Sequence, residues 1–162
     1  MAEAIIDKLR GNIGAENVLE VKYPMARRIF VLVKPETFKL AVSYLVNELN
    51  FKHLTTISGV DLGEEFEVIY HLNDDTNELS LKVRTPKSSP RVPTITDIVP
   101  GAALYEREIH DMFGIVPEGH PKLTKVMLPD DWPEGVYPLR KEWTIEKIRA
   151  KLDGKEEKKK DG

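Results

Sequence analysis

The stretch that decides the fold is EFEVIYHL (residues 65–72), followed by NDDTN (73–77) and LSLKVR (79–84). In the first segment apolar side chains recur at every second position from Phe66 to Leu72, which is the period of a β-strand. The residues of 73–77 belong to the types that hydrogen-bond their own backbone in tight turns. We therefore predict a hairpin with one buried face and one solvated face.

Upstream of the hairpin, apolar spacing predicts two helices and three strands. Residues 28–33 are apolar after the first position, which is typical of a central strand buried on both faces. Pro35 suits the first turn of a helix, where its missing N–H is not needed. The predicted elements are a helix at 2–10 ended by Gly11, Asn12 and Gly14, strands at 17–22 and 28–33 with a turn at 23–27 containing Pro24, a helix at 35–49 that stops at Asn50, and a strand at 53–60.

Downstream of the hairpin, a proline-containing connection at 86–93 precedes a third helix. Thr94 stands three residues before Asp97 and resembles a capping box. The helix is predicted at residues 102–113, with Gly114 as its C′ residue. The side chains expected to be buried are those at helical spacing, Tyr105, Ile109 and Met112, with Leu104 and Phe113 beside them.

After Gly114 the chain becomes rich in proline, with five prolines between positions 117 and 138. Prolines at this density exclude a helix interior and a central strand. Large apolar residues such as Trp132 and Trp143 exclude a solvated linker. We predict an extended arm, residues 115–143, lying on its own domain or on a partner. We predict three divisions of the chain. Residues 1–114 form an α+β domain, and residues 115–143 form the arm. Residues 144–162 form a short helix (144–152) followed by a disordered polar tail (155–162).

Composition excludes several classes of protein. The 162 residues carry a net charge of −3, which gives no indication of nucleic-acid binding. The absence of cysteine excludes disulfides and cysteine-ligated zinc or iron–sulfur centres. No signal peptide is expected, and no apolar run approaches the roughly 20 residues of a membrane helix, so membrane contact is expected only through partners. The lack of glutamine beside abundant Lys and Glu favours a thermophilic source.

The third helix carries the candidate chemistry. Glu106 and His110 lie four residues apart on one helical face, and so do Arg107 and Asp111. One hypothesis is a small metal-dependent hydrolase that uses Glu106, His110 and His120. The favoured interpretation is a buried ionic network where two subunits meet, with the tryptophans of the arm as interface anchors. We assign no catalytic, cofactor-binding or metal-binding residue.

Four segments in order resemble one known family: YEREIHDMFGI (105–115), GHPKL (119–123), LPDDW (128–132) and PLRK (138–141). VPTITDI (92–98) is also similar. The family is the hydrophilic C-type, 30-kilodalton-type subunit of respiratory complex I and of related membrane-bound energy-converting NiFe hydrogenases. The resemblance implies an α+β fold: a mixed, largely antiparallel sheet with packing helices, plus a C-terminal extended proline-rich arm.

The resemblance also implies a role. It predicts a subunit without a cofactor of its own in a hetero-oligomeric complex, peripheral on the cytoplasmic side of the cell membrane. The expected partners are a large subunit, which forms the quinone site or holds the NiFe centre, and an iron–sulfur small subunit. A stand-alone scaffold unrelated to redox chemistry is a third hypothesis. The family pattern departs at Leu104 and at Thr124-Lys125, where the family carries an aromatic residue and two arginines, which favours hydrogenase or archaeal-type complexes.

The residues that carry the family signature are expected to form the interface. Glu106, Arg107, Glu108 and Asp111 would hold the helix and the departing arm. Arg140 and Lys141 would pair with acidic groups of a partner. The full predicted set is Glu106, Arg107, Glu108, Asp111, Phe113, Gly114, His120, Pro121, Trp132, Pro138, Leu139, Arg140 and Lys141.

Overall fold

The structure is a computed structural model that describes the backbone of residues 1–160 and the side chains of residues 1–154. A single 3₁₀ turn at Ala15–Asn17 follows the first helix. The elements in chain order are α1 Ala2–Ile13, β1 Val18–Met25, β2 Arg28–Val33, α2 Pro35–Asn47, β3 His53–Asp61, β4 Glu65–Asn73, β5 Glu78–Pro86, β6 Arg91–Pro93, α3 Ala102–Phe113, β7 Val116–Glu118 and α4 Ile145–Lys160.

Five strands form one sheet in the order β1-β2-β5-β4-β3. The pairs β1–β2, β3–β4 and β4–β5 are antiparallel, and β2–β5 is parallel. β6 and β7 form a separate parallel pair. The predicted fold class is therefore confirmed: α+β, with a mixed and largely antiparallel sheet.

The hairpin of β4 and β5 organises the core as the sequence predicts. Phe66 and Tyr70 are at most 1% exposed. The ring of Tyr70 lies 4.7 Å from that of Phe38 in α2, and the ring of Phe66 lies 5.7 Å from that of Phe113 in α3. Helices α2 and α3 thus cover the same face of the sheet. In the turn, the Asp74 carboxylate accepts the backbone N–H groups of residues 76 and 77, as expected.

The opposite face of the hairpin is less solvated than predicted. Glu67 is only 7% exposed, because Lys82 and Arg84 on the neighbouring strand reach its carboxylate at 3.4 and 3.0 Å. The imidazole of His71 lies between the hydroxyls of Ser58 and Ser80, at 3.2 and 3.0 Å. Ion pairs and hydrogen bonds between adjacent strands take the place that water has on an ordinary exposed face.

Two predicted boundaries in the N-terminal part are wrong. Helix α1 continues through Gly11 and Asn12 to Ile13, because the Ile13 side chain is buried against the core. Pro24 lies within β1 rather than in a turn, and the connection to β2 shrinks to residues 26 and 27. Proline is tolerated there because β1 is an edge strand that does not need every N–H donor.

The predicted capping box and the predicted end of the last helix are also wrong. No helix begins at Thr94. Its hydroxyl instead donates to a carboxylate oxygen of Glu106. Helix α4 extends to Lys160, beyond the predicted end at 152, because Lys and Glu, which make up residues 155–160, are strong helix formers. The part of the predicted tail at 161–162 lies outside the described residues.

A close approach positions α3 on the sheet. A Cβ atom at Gly59 in β3 would lie 2.5 Å from Cε2 of Phe113, so glycine leaves the room that this ring occupies. The first residues of the predicted arm also belong to the packed structure. Ile115 is fully buried, and Val116–Glu118 is the strand β7 that pairs with β6. Residues 119–143 then run back across the surface of α3.

Candidate interface of helix α3 and the C-terminal arm

The C-terminal end of α3 is built around Gly114. Its backbone is left-handed, with φ of 75°, and its N–H donates to the His110 carbonyl at 2.8 Å. A Cβ at this position would lie 2.6 Å from the Tyr137 ring and 2.7 Å from Nη2 of Arg140. Glycine is required here twice, for the backbone conformation and for the space that the arm fills.

Asp111 holds one segment of the arm by its backbone. Its Oδ2 atom accepts the N–H groups of Val126, Met127 and Leu128 at 2.9, 2.8 and 3.2 Å. Asp111 is only 3% exposed. Three convergent N–H donors compensate the charge of a buried carboxylate. Together they turn the arm at 126–128 into a backbone loop wrapped around one oxygen.

Arg107, one turn earlier in α3, holds the preceding residues. Its Nε and Nη2 atoms donate to the carbonyls of Thr124 and Lys125 at 2.8 and 2.9 Å. None of the ion pairs found in the described part of the chain involves Glu106, Arg107, Glu108 or Asp111, so the network does not form within the chain, and the predicted network between subunits stays a prediction. Arg107 and Asp111 bind complementary groups of the arm backbone instead of each other.

Arg140 fastens a second point of the arm. Its Nε donates to the Phe113 carbonyl at 2.6 Å, and its guanidinium lies 4.4 Å from the Tyr137 ring centroid and 5.1 Å from that of Phe66. The backbone N–H of Leu139 donates to the Met112 carbonyl at 3.1 Å. Arg140 therefore has partners within the chain, which include the Glu142 carboxylate at 3.7 Å, and its predicted pairing with acidic groups of a partner stays a prediction. The corresponding prediction for the exposed Lys141 side chain stays a prediction.

A third attachment lies at the end of the arm, on Asp61. Its Oδ2 accepts Lys87 Nζ at 2.7 Å and the Lys141 N–H at 2.9 Å, and Oδ1 accepts the Gly63 N–H at 2.9 Å. Lys87 also binds Glu142 at 2.7 Å. Burial acts to raise the pKa of Asp61, but the bonds from Lys87, Lys141 and Gly63 outweigh it and lower the pKa to about 2.

Glu106 joins α3 to the segment before it. Its Oε1 accepts the Ile95 N–H at 2.8 Å and its Oε2 accepts the Thr94 hydroxyl at 2.6 Å. Burial raises the pKa of Glu106 despite these two bonds. The predicted burial pattern of α3 is accordingly corrected: Glu106 and Asp111 are buried, whereas Tyr105 and Met112 are half-buried and Leu104 is 55% exposed.

The residues of the hydrolase hypothesis do not converge on one point. His110 Nδ1 bonds the Ile115 carbonyl and His120 Nε2 bonds the Ala103 carbonyl, each at 3.0 Å. Both Glu106 oxygens are taken by residues 94 and 95. Within the residues that the structure describes, no group of three His, Asp or Glu side chains is arranged to hold a metal ion. The geometry gives the hydrolase hypothesis no support.

Several large apolar side chains are exposed on the outer surface of this region. Met127 is 57% exposed and Leu139 55% exposed, and both belong to segments whose backbones are tied to α3. Leu104 on α3 and Val126 on the arm are exposed as well. Trp132 is half-buried, and its indole N–H donates to the Val136 carbonyl at 2.8 Å. The arm is thus fixed by polar contacts on its inner side and presents apolar side chains outward.

Sequence reasoning located much of this region and missed one part of it. Arg107, Asp111, Gly114 and Arg140 all lie where α3 meets the arm. Pro121 is exposed and Pro138 is half-buried on the arm. The attachment at Asp61, with Lys87 and Glu142, carries no local spacing signal, because its members stand 26 to 80 positions apart in the chain.

The fold and the folded-back arm define an α+β protein that carries a preformed contact surface. Residues 31–149 match the model of the respiratory-chain NADH dehydrogenase, 30 kDa subunit, and the chain belongs to this family. It is accordingly a subunit of a complex-I-like NADH-quinone oxidoreductase or of a related membrane-bound complex. Among the described residues, no helix has the length and apolar character required to cross a bilayer.

Three similar proteins show the range of the family. The C-type subunit of the NADH-quinone oxidoreductase of Roseiflexus sp. (strain RS-1) is 45% identical over 119 residues, 69% of this chain and 67% of the relative. The C-type subunit of the F(420)H(2) dehydrogenase of Methanosarcina mazei is 36% identical over 146 residues, 88% of this chain and 91% of the relative. In the structure of the membrane-bound sulfane sulfur reductase, an archaeal respiratory membrane complex, a chain 30% identical superposes with a TM-score of 0.77, covering 94% of this chain and 89% of that one.

Proposed function

We propose that the chain is a structural subunit without a redox cofactor of its own, and that it docks on the large catalytic subunit and the iron–sulfur small subunit of its complex. The arm and helix α3 would form the docking surface, on the peripheral, cytoplasmic side of the membrane. One observation carries the proposal: the arm is held by its backbone and by Arg140 while its apolar side chains face outward.

The physical argument rests on preorganisation. Asp111 and Arg107 satisfy the backbone of residues 124–128, so this part of the arm has its shape before a partner arrives. A preformed surface loses less conformational entropy on binding than a disordered one. Exposed Met127 and Leu139, with half-buried Trp132 on the same arm, supply the apolar and aromatic groups that concentrate at protein interfaces.

For the type of complex, we favour the archaeal respiratory complexes. The Methanosarcina subunit is 36% identical to this chain over 88% of its length. The chain of the sulfane sulfur reductase covers 94% of it. The departures at Leu104 and at Thr124-Lys125 agree with this assignment. Sequencing of the subunits that co-purify from native membranes tests it, and a set of subunits typical of a bacterial NADH-quinone oxidoreductase would overturn it.

The docking surface is tested with the double variant Met127→Lys/Leu139→Glu, expressed in the native host with a tag on the chain. Both side chains are more than half exposed, so the isolated variant should keep the melting temperature of the wild type. We expect the large subunit to be lost from the purified complex, because charges replace apolar groups in the contact. Leu40→Lys is the matched control, since Leu40 is 51% exposed on α2, away from the arm.

Retention of both partner subunits by the double variant would contradict the proposal. A truncation of the whole arm is a poorer test, because it also removes β7 and the backbone N–H groups that bind the Asp111 carboxylate. Elemental analysis of the isolated chain tests the absence of a cofactor and the hydrolase alternative together. Stoichiometric nickel, iron or zinc in that sample would contradict the absence of a cofactor and would support the hydrolase alternative.

A further inference from the structure

A cleft of about 590 Å³ opens between the C-terminal half of α3 and the arm. Its volume lies within the range of roughly 300–1,000 Å³ found for pockets that enclose small ligands. Three of its walls are formed by the last turn of α3, by the segment at Leu123–Leu128 and by the loop at Trp132–Tyr137. The residues that decide its chemistry are His110, Asp111, Lys125, Trp132, Glu134 and Tyr137.

The one lysine of the cleft is already engaged. Lys125 Nζ donates to the Asp130 carbonyl at 3.0 Å and reaches the Trp132 carbonyl at 3.5 Å. Its ammonium is thus turned to the loop that it helps to shape. Glu134 is exposed, and it makes no hydrogen bond or ion pair with any residue of the described part of the chain. With one lysine against the two carboxylates of Asp111 and Glu134, the ionised lining side chains carry more negative than positive charge.

Two further atoms of the cleft accept hydrogen bonds. Oδ1 of Asp111 takes no bond from a described residue, because all three N–H donors go to Oδ2. Every fully buried side-chain oxygen or nitrogen in the described residues has a partner, so Oδ1 is not fully buried, although Asp111 as a whole is only 3% exposed. Nδ1 of His110 faces the Ile115 carbonyl and therefore donates to it, and in the tautomer protonated at Nδ1 alone the other nitrogen, Nε2, is an acceptor.

The indole of Trp132 completes the wall. Its N–H is satisfied by the Val136 carbonyl, so its contribution to the cleft is an aromatic surface rather than a donor. Aromatic faces attract cations, and indole does so most strongly. A planar guanidinium can lie on such a face while its N–H groups reach carboxylates, which an ammonium does less well. Together, the carboxylates, the nitrogen acceptor and the indole are complementary to a guanidinium group.

We propose that this cleft receives an arginine side chain of the partner subunit. The inference rests on the proposed function, because it places the arginine on the subunit that contacts the arm. Leu128 lines the cleft, and its neighbour in the chain is the exposed Met127 of the proposed docking surface. In this contact the arginine supplies a charge complementary to that of the cleft, and it fixes the position of one subunit relative to the other.

The cleft is first tested in the isolated full chain. N-acetyl-argininamide is titrated into the protein while the indole N–H resonance of Trp132 is followed by NMR. N-acetyl-lysinamide and the uncharged N-acetyl-alaninamide are titrated in parallel. We expect a saturable shift with the arginine probe, a weaker one with lysine and none with alanine. In Glu134→Gln the apparent Kd should rise about tenfold, the equivalent of about 1.4 kcal/mol. An unsaturable shift, or equal binding by Glu134→Gln, would overturn the proposal.

The complex supplies the second test. Retention of the partner subunits at rising NaCl is compared for the wild type, Glu134→Gln and Glu134→Lys, with Glu36→Gln as the control because Glu36 is exposed on α2. We expect retention to fall about tenfold in Glu134→Lys and not in the control. If Met127→Lys/Leu139→Glu disrupts assembly while both Glu134 variants do not, the cleft proposal is wrong and the docking surface stands. If none of them disrupts assembly, both are wrong.

Discussion

The carboxylate of Asp61 accepts the backbone N–H of Lys141 at 2.9 Å, a bond between positions 80 residues apart. Asp61 ends β3 and Lys141 lies near the end of the arm. The same oxygen accepts Lys87 Nζ at 2.7 Å. If the arm left this site, the buried carboxylate would lose one of the donors that compensate its charge. The bond therefore couples the far end of the arm to the rim of the sheet.

The Asp61→Asn substitution should weaken this attachment at neutral pH. It removes the charge opposite Lys87, and we expect a loss of about 1–3 kcal/mol in the free energy of unfolding. The folded pKa of about 2 lies below the usual 3.8. The carboxylate thus stabilises the fold fully above about pH 4, and this contribution is lost as the pH falls from 3.8 towards 2. Urea unfolding at several pH values measures it.

The control for Asp61 is Asp7→Asn. Asp7 pairs with Arg10 at 3.8 Å and is 75% exposed, and such surface pairs contribute little. We expect it to change the unfolding free energy by less than about 0.5 kcal/mol at every pH. A difference between wild type and Asp61→Asn that persists undiminished at pH 2 would show that the charge of Asp61 is not what stabilises the arm.

The Asp111→Asn substitution should loosen the arm without unfolding the domain. The amide oxygen is a weaker acceptor for the three N–H groups at 126–128 than the carboxylate. We expect these amides to exchange with deuterium about tenfold faster or more, as a loss of about 1.4 kcal/mol implies, while amides of β4 and β5 are unchanged. Asp130→Asn on the same arm is the control. Unchanged exchange at 126–128 would mean that the loop does not depend on Asp111.

Gly114→Ala should destabilise the protein more than Gly135→Ala. Both glycines are left-handed, with φ of 75° and 76°, so the backbone cost of about 1 kcal/mol is common to both. A Cβ at 135 meets nothing within 4 Å, whereas one at 114 meets Tyr137 and Arg140. We expect an additional loss of about 1–3 kcal/mol at 114, from displacement of the arm. Paired urea unfolding curves give the difference, and equal losses would refute the steric argument.

Glu106→Gln should be nearly neutral or stabilising at pH 7. Glutamine keeps an acceptor for the Ile95 N–H, and its amide can donate to the Thr94 hydroxyl oxygen. The folded pKa of Glu106 is raised above its usual 4.5 by burial. The native state therefore prefers the protonated acid, and wild-type stability decreases as pH rises above about 4.5. Melting curves from pH 4 to 7 should show a flatter profile for the variant, and parallel profiles would contradict the prediction.

Local patterns predicted the secondary structure well where one face is buried. The alternation in β4 and β5 and the Gly114 stop of α3 needed only the period of the chain and the left-handed preference of glycine. The predictions failed where long-range packing decides. Pro24 enters a strand because β1 is an edge, and Thr94 binds Glu106 rather than capping a helix.

The candidate site could likewise be predicted from the sequence only in part. The order of its motifs identified the family, because the spacing of Glu106, Arg107 and Asp111 on one helix can be read directly from the sequence. The hydrogen-bond partners of these side chains could not be predicted, since Arg107 and Asp111 bind backbone atoms, which any sequence supplies. Only the tertiary structure decided that Asp111 collects three N–H groups and that Arg140 points inward. A hydrogen bond to a backbone 15 or 80 residues away depends on how the chain folds back, and no local spacing encodes it.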